Sequence, residues 1–256
     1  MAAIFTVGKS DVYNALKTVE AADSGLDIAG RDSVLTQLGD VILDHNLENI
    51  IGIRLLHKHN IITDDELMLE QVEVLQDGQC CLVTAAIDAK ACVSPRQPNS
   101  WQLQGDSFVP LEMSCDPLVD VQEVSKETLD AFFDGFSSAL RQNGVDDIMG
   151  PCIIRRDFYG RNNPGQDFLL VETSDEDRRA NIVRFAAVDD YDANRLIQTS
   201  WKASRMANDS CDPYCAPSAC VPVSACVKEA NGSHTPVSTH DKNHTTGHST
   251  TTDPSD

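Results

Sequence analysis

The sequence predicts an α+β fold, a mainly antiparallel sheet covered on one face by helices, and three observations carry that prediction. Apolar residues recur at helical spacing in a few segments, most clearly at Leu129, Phe132, Phe133, Phe136 and Leu140. Other runs, alternating or β-branched, are joined by Asp77-Gly78, by Gly105-Asp106 and by residues 174–177, all of which suit tight hairpin turns. Helical segments between strands are too few for the crossovers that a parallel sheet needs.

Taken in order, a first helix is expected from Asp11 to Ala22, with Ser10 as N-cap, Val12, Leu16 and Val19 on one face, and Gly25 as a stop. A second spans Ser33 to His45, with Gly39 as its weak point. Residues 50–57 start β-branched and read as a strand. Residues 66–76 and 79–87 form a hairpin, and a change of phase between Leu69 and Val72 points to a bulge near Glu70 and Gln71. Residues 92–100 read as a loop and 101–113 as a second hairpin. The Phe-rich helix begins after Ser125, ends at Gly144 and is expected to cover the sheet. A short strand at 152–156, a loop at 157–166 and a hairpin of 168–173 with 180–188 follow. Residues 192–204 close the domain as a helix, although Thr199 and Trp201 leave a strand open.

Composition divides the chain into a single α+β domain, residues 1–207, and a Cys/His/Ser/Thr-rich tail, 208–256. So few large apolar residues in the tail cannot offset its ordering entropy, and disorder is expected there. Its Cys211, Cys215, Cys220 and Cys226 widen in spacing, unlike the paired ligands of a zinc module. Of the 40 acidic residues, 34 precede Asn208, so -16 of the net charge of -20 belongs to the body. A surface of that sign disfavours nucleic acid and anionic membranes as partners. No apolar run is long enough to span a bilayer, and Met1–Ser10 does not read as a signal peptide. A cytoplasmic protein with reduced thiols is the expectation. The Gly-rich phosphate loop, the dinucleotide fingerprint, Gly-x-Ser-x-Gly and His-Glu-x-x-His are all absent, and no cofactor or metal is expected.

Three sets of residues stand out as candidate sites. His57 and His59 sit two apart at a strand end, so strand alternation puts both imidazoles on the face of Ile51, Ile53 and Leu55, with Arg54 facing away. Such a pair suits hydrogen-bonded histidines at a core edge, acid/base catalysis, or metal ligation. Glu172 follows Phe168 and Leu170 inward, where it needs a cation from Arg178, Arg179 or Arg184, or acts as a general base whose pKa burial raises. Arg155, Arg156 and Arg161 form a local basic group suited to binding an anionic ligand. The expected function is an acidic intracellular binding or accessory protein that docks a protein partner or a small molecule. Two alternatives stand beside it: a small cofactor-independent enzyme using His57, His59 and Glu172 as acid/base groups, and a metal-dependent enzyme on the His-x-His pair.

Overall fold

A computed structural model describes residues 10–74, 78–91, 96–115, 124–154, 168–192, 195–205 and 218–227. Where one N-terminal helix is expected, two form. α1 (Ser10–Asn14) ends early, and α2 (Val19–Ala29) restarts after Thr18, whose hydroxyl accepts the Ala21 N–H. α2 runs through Gly25 and stops at Gly30, which takes the left-handed φ of 88° that a helix end requires. α3 (Arg31–Asp44) follows at once. α4 (Lys126–Asn143) has the predicted boundaries: the Ser125 hydroxyl accepts the Thr128 N–H, and Gly144 closes the helix at φ 62°. No helix among the described residues is long and apolar enough to cross a membrane.

The strands are β1 (Ile51–Leu55), β2 (Glu66–Val74), β3 (Cys80–Asp88), β4 (Gln97–Gln104), β5 (Ser107–Ser114), β6 (Met149–Ile153), β7 (Phe168–Asp175), β8 (Ala180–Ala187), β9 (Leu196–Arg205) and β10 (Ser218–Val227). They close into a barrel in the order β1-β6-β4-β5-β2-β3-β8-β7-β10-β9, and β9 pairs back onto β1. The β2–β5 and β7–β10 pairings are parallel and the rest antiparallel.

This closed mixed barrel overturns the α+β expectation of an open sheet under helices. The local hairpins β2–β3, β4–β5 and β7–β8 form as predicted. Closure comes from pairings between distant segments, such as Ile53 with Trp201 and Val83 with Ile182, which no local pattern reports. The predicted bulge is also absent, since the β2–β3 register runs unbroken from Glu66↔Asp88 to Val74↔Cys80. Residues 196–205 are the strand β9, not a closing helix. Part of the segment read as a disordered tail, residues 218–227, is the strand inserted between β7 and β9. Its run of Ala219, Val221, Val223 and Ala225 has the small and β-branched character of a strand, which averaging over the polar tail conceals.

The helices pack on the outside of one wall. Val19, Leu26, Leu38, Ile42, Phe132, Phe136 and Leu140 form one apolar cluster with Ile51, Ile53 and Leu55 of β1 and with Trp201 and Ala203 of β9. Glycine lets these strands approach: a Cβ on Gly150 would lie 2.1 Å from the Trp101 carbonyl oxygen, and one on Gly52 would lie 2.7 Å from that of Trp201.

Candidate functional site

Strand directions bring the candidate residues to one end of the barrel. β1 is antiparallel to β9, β9 is antiparallel to β10, and β10 is parallel to β7, so β1, β10 and β7 run the same way. Ile53 pairs with Trp201 and Trp201 with Pro222, so four residues further along both chains His57 stands level with Cys226. Cys226 in turn pairs with Glu172. Past Leu55 the chain leaves the strand. His57, His59, Glu172 and Cys226 meet in a buried group whose ligating atoms all lie within 4.8 Å of one another.

Each side chain in this group is oriented from behind. His57 Nδ1 donates to the Leu55 carbonyl at 2.8 Å, so the neutral ring turns its Nε2 lone pair toward Cys226 Sγ at 3.4 Å and Glu172 Oε2 at 3.8 Å. His59 Nδ1 is hydrogen-bonded with Ser174 Oγ at 2.9 Å, and its Nε2 lies 3.6 Å from Glu172 Oε2. Glu172 Oε1 accepts from Thr199 at 2.5 Å and Ser224 at 2.7 Å. Its Oε2 accepts from Asn181 at 3.3 Å and faces the Cys226 thiol at 3.6 Å.

Burial pushes the Glu172 carboxyl up, but His59, Arg54 and His57 outweigh it and hold the group well below its usual range. This is opposite to the raised value expected of a buried general base. Burial, with the neighbouring His59, lowers His57 to about 3. Burial and the Glu172 charge drive the Cys226 thiol well above its ordinary value. The cluster therefore combines a carboxylate, a neutral His57 and a protonated thiol.

Glu172 also borders the barrel's interior. A cavity of about 40 Å³ is lined by side chains from nine of the ten strands, among them Arg54, Glu70, Thr84, Asn99, Cys152, Ser200 and Ser224. Arg54 donates to Glu112 at 2.5 Å. Burial opposes its charge, but Glu112, Glu172, Cys152 and Glu70 raise its pKa further still. Desolvation presses the Cys152 thiol up to about 12.

The structure thus brings together His57, His59 and Glu172, which the sequence singles out separately. The cation beside Glu172 is Arg54, not one of the hairpin arginines: Arg178 pairs with Glu73 and Arg179 with Glu66. Arg155, Arg156 and Arg161 lie outside the described residues. Sequence reasoning missed Cys226, assigned to the tail, and Arg54, assigned to the face away from the site. The strand-like run around Cys226 was the signal available for the first. The second had none, because a guanidinium on an acidic protein's strand reads equally well as solvent-facing.

Comparison with protein families, with curated proteins and with solved structures found no match for this chain. Its class is therefore defined by its own geometry, a closed mixed β-barrel with a polar interior and a His/Glu/Cys cluster at one end.

Proposed function

We propose that this is a binding protein whose barrel encloses a small polar molecule. The observation that carries the reading is the lining of the lumen, where polar groups from around the barrel converge on a cavity of about 40 Å³. One water takes up about 10–15 Å³ of such space, so the occupant is only a few waters in size.

Two of the wall groups have unspent hydrogen-bonding capacity. A guanidinium carries five donors, and among the described residues Arg54 makes one hydrogen bond, to Glu112. Asn99 is buried and lines the cavity, and its Oδ1 has no hydrogen-bond partner among the described residues. The wall sets Arg54 against Glu70 and Glu172, which disfavours a ligand with net negative charge. A neutral molecule of only a few heavy atoms suits this wall, with a carbonyl or hydroxyl oxygen for Arg54 and an N–H or O–H for Asn99. The thiols of Cys80, Cys81, Cys152 and Cys226, none in a disulfide, support a reducing, cytoplasmic setting. The acid/base reading draws less support, because neither His57 nor Glu172 is poised near neutral pH.

A thermal-shift screen of the smallest alcohols, amides, carboxylates and amines tests the proposal. At least one neutral class should raise the melting midpoint of the wild type. The rise should vanish when Ser200→Phe fills the lumen. No shift from any class would overturn the reading, and a shift retained in the filled barrel would place binding elsewhere.

A further inference from the structure

We propose that His57, His59, Glu172 and Cys226 bind one divalent transition-metal cation of the zinc class in tetrahedral geometry. This inference is independent of what the lumen holds.

The first support is distance. Metal–ligand bonds of about 2.0–2.3 Å to nitrogen, oxygen and sulfur place the corners of a tetrahedron about 3.3–3.8 Å apart. The separations here are 3.4 Å from Cys226 Sγ to His57 Nε2, 3.6 Å from Cys226 Sγ to Glu172 Oε2, 3.8 Å from His57 Nε2 to Glu172 Oε2, and 3.6 Å from His59 Nε2 to Glu172 Oε2. Four of the six edges thus have tetrahedral lengths already, and the remaining two, from His59 to His57 and to Cys226, are within 4.8 Å. A cation at the centre needs His59 to move by about an ångström or less and the other three hardly at all.

The second support is a facing pair of acceptors. With Nδ1 committed to the Leu55 carbonyl, neutral His57 turns a lone pair toward a carboxylate oxygen. Two acceptors facing each other in a buried space repel, and although Asn181 also donates to that oxygen at 3.3 Å, the repulsion remains. A shared cation turns it into attraction.

The third is orientation from behind. Metal-bound histidines characteristically give their other ring nitrogen to a carbonyl or hydroxyl, and ligating carboxylates are themselves hydrogen-bonded. Leu55 O and Ser174 Oγ hold the two imidazoles, and Thr199 and Ser224 hold the non-ligating oxygen of Glu172.

The donor set selects the ion. Two imidazoles, one carboxylate and one thiolate suit zinc or cobalt, whereas magnesium and calcium take oxygen ligands throughout. One carboxylate and one thiolate also cancel a double positive charge, as so buried a site requires. Four protein ligands leave no open position, which is the arrangement of a structural site. On binding, the Cys226 S–H bond breaks, the metal–sulfur bond forms and the proton leaves to water, with no change of oxidation state. The ion would join the end of β1 to β7 and β10, fastening the C-terminal strand into the barrel.

The test is cobalt substitution in the full-length protein. After stripping with a chelator, titration with Co²⁺ should give one tight equivalent with the intense visible bands of a tetrahedral site and a thiolate-to-cobalt charge-transfer band. Cys226→Ser should abolish the charge-transfer band and weaken binding at least tenfold. Cys226→His should keep the tetrahedral bands without the charge transfer, which separates loss of a ligand from loss of fold. The tail also carries cysteines, so the Cys211→Ser/Cys215→Ser/Cys220→Ser triple variant should leave the spectrum unchanged. Absence of a tetrahedral spectrum in the wild type, or a charge-transfer band that survives Cys226→Ser, would overturn the proposal.

Discussion

On its helix-covered side the barrel wall presents Ile51, Ile53, Leu55 and Trp201 to Phe132 and Phe136. On its inner side the same two strands present Arg54 and Ser200 to a polar cavity. Both sides are buried, yet they are built from opposite chemistry. Outside, apolar area removed from water supplies stability in proportion to its size. Inside, the buried Arg54–Glu112 pair must recover the desolvation of two charges, and such pairs are often neutral or worse compared with apolar residues of the same volume. The contrast teaches that the outer shell holds the barrel together, and that the lumen is kept polar at some expense to stability.

Removing the strand that belongs to both sides should have the largest effect. A chain ending at Arg205 loses β10, exposes the edges of β7 and β9, and takes Ser224 and Cys226 away from Glu172. Calorimetry should show loss of cooperative unfolding or a midpoint lower by more than about 10 °C. A midpoint within about 3 °C of the full chain would mean that nine strands suffice.

Phe132→Ala and Phe136→Ala attack the outer shell alone. Both side chains are fully buried, so urea unfolding should register a loss of about 3–5 kcal/mol for each. Phe133, half-buried against Trp101 and Phe108, should lose less. Equal losses at all three positions would mean that the apolar shell does not end where the structure places it.

In the lumen, Glu112→Gln strands the Arg54 charge and should cost about 3 kcal/mol. Replacing the pair together, as Arg54→Met with Glu112→Leu, should stay within about 1 kcal/mol of wild type or exceed it. A double variant as unstable as the single one would show that the ion pair itself holds the barrel, and the contrast between shell and lumen would fail.

The smallest effect concerns the rim, where Glu66 pairs with Arg179. The Arg179 hydrogen bond and the Thr63 N–H lower Glu66 from 4.5 to about 2. A depressed folded pKa contributes stability that is present above pH 4.5 and fades as the pH falls toward about 2. Solvent screens this exposed pair, so Glu66→Gln should cost under about 1 kcal/mol at pH 7. The gap between variant and wild type should close at acid pH, and a gap that persists at pH 2 would assign the effect to something other than this charge.

What the sequence determined by itself is what neighbouring residues decide among themselves. The boundaries of α4 follow from Ser125 and Gly144, because capping is settled within one helical turn. The β2–β3, β4–β5 and β7–β8 hairpins follow from their turns and their alternating residues. His57, His59 and Glu172 were visible as chemistry out of place in apolar surroundings. The tertiary structure alone decided that the strands close, that β9 and β10 take part, and that Cys226 and Arg54 belong with those residues. Closure rests on backbone hydrogen bonds that any residue can make, between partners as distant as Ile53 and Trp201, so side-chain identity carries almost no record of it. Alternation says only that a strand has two faces. With both faces of this wall buried, only the closed barrel determines which of them is the lumen.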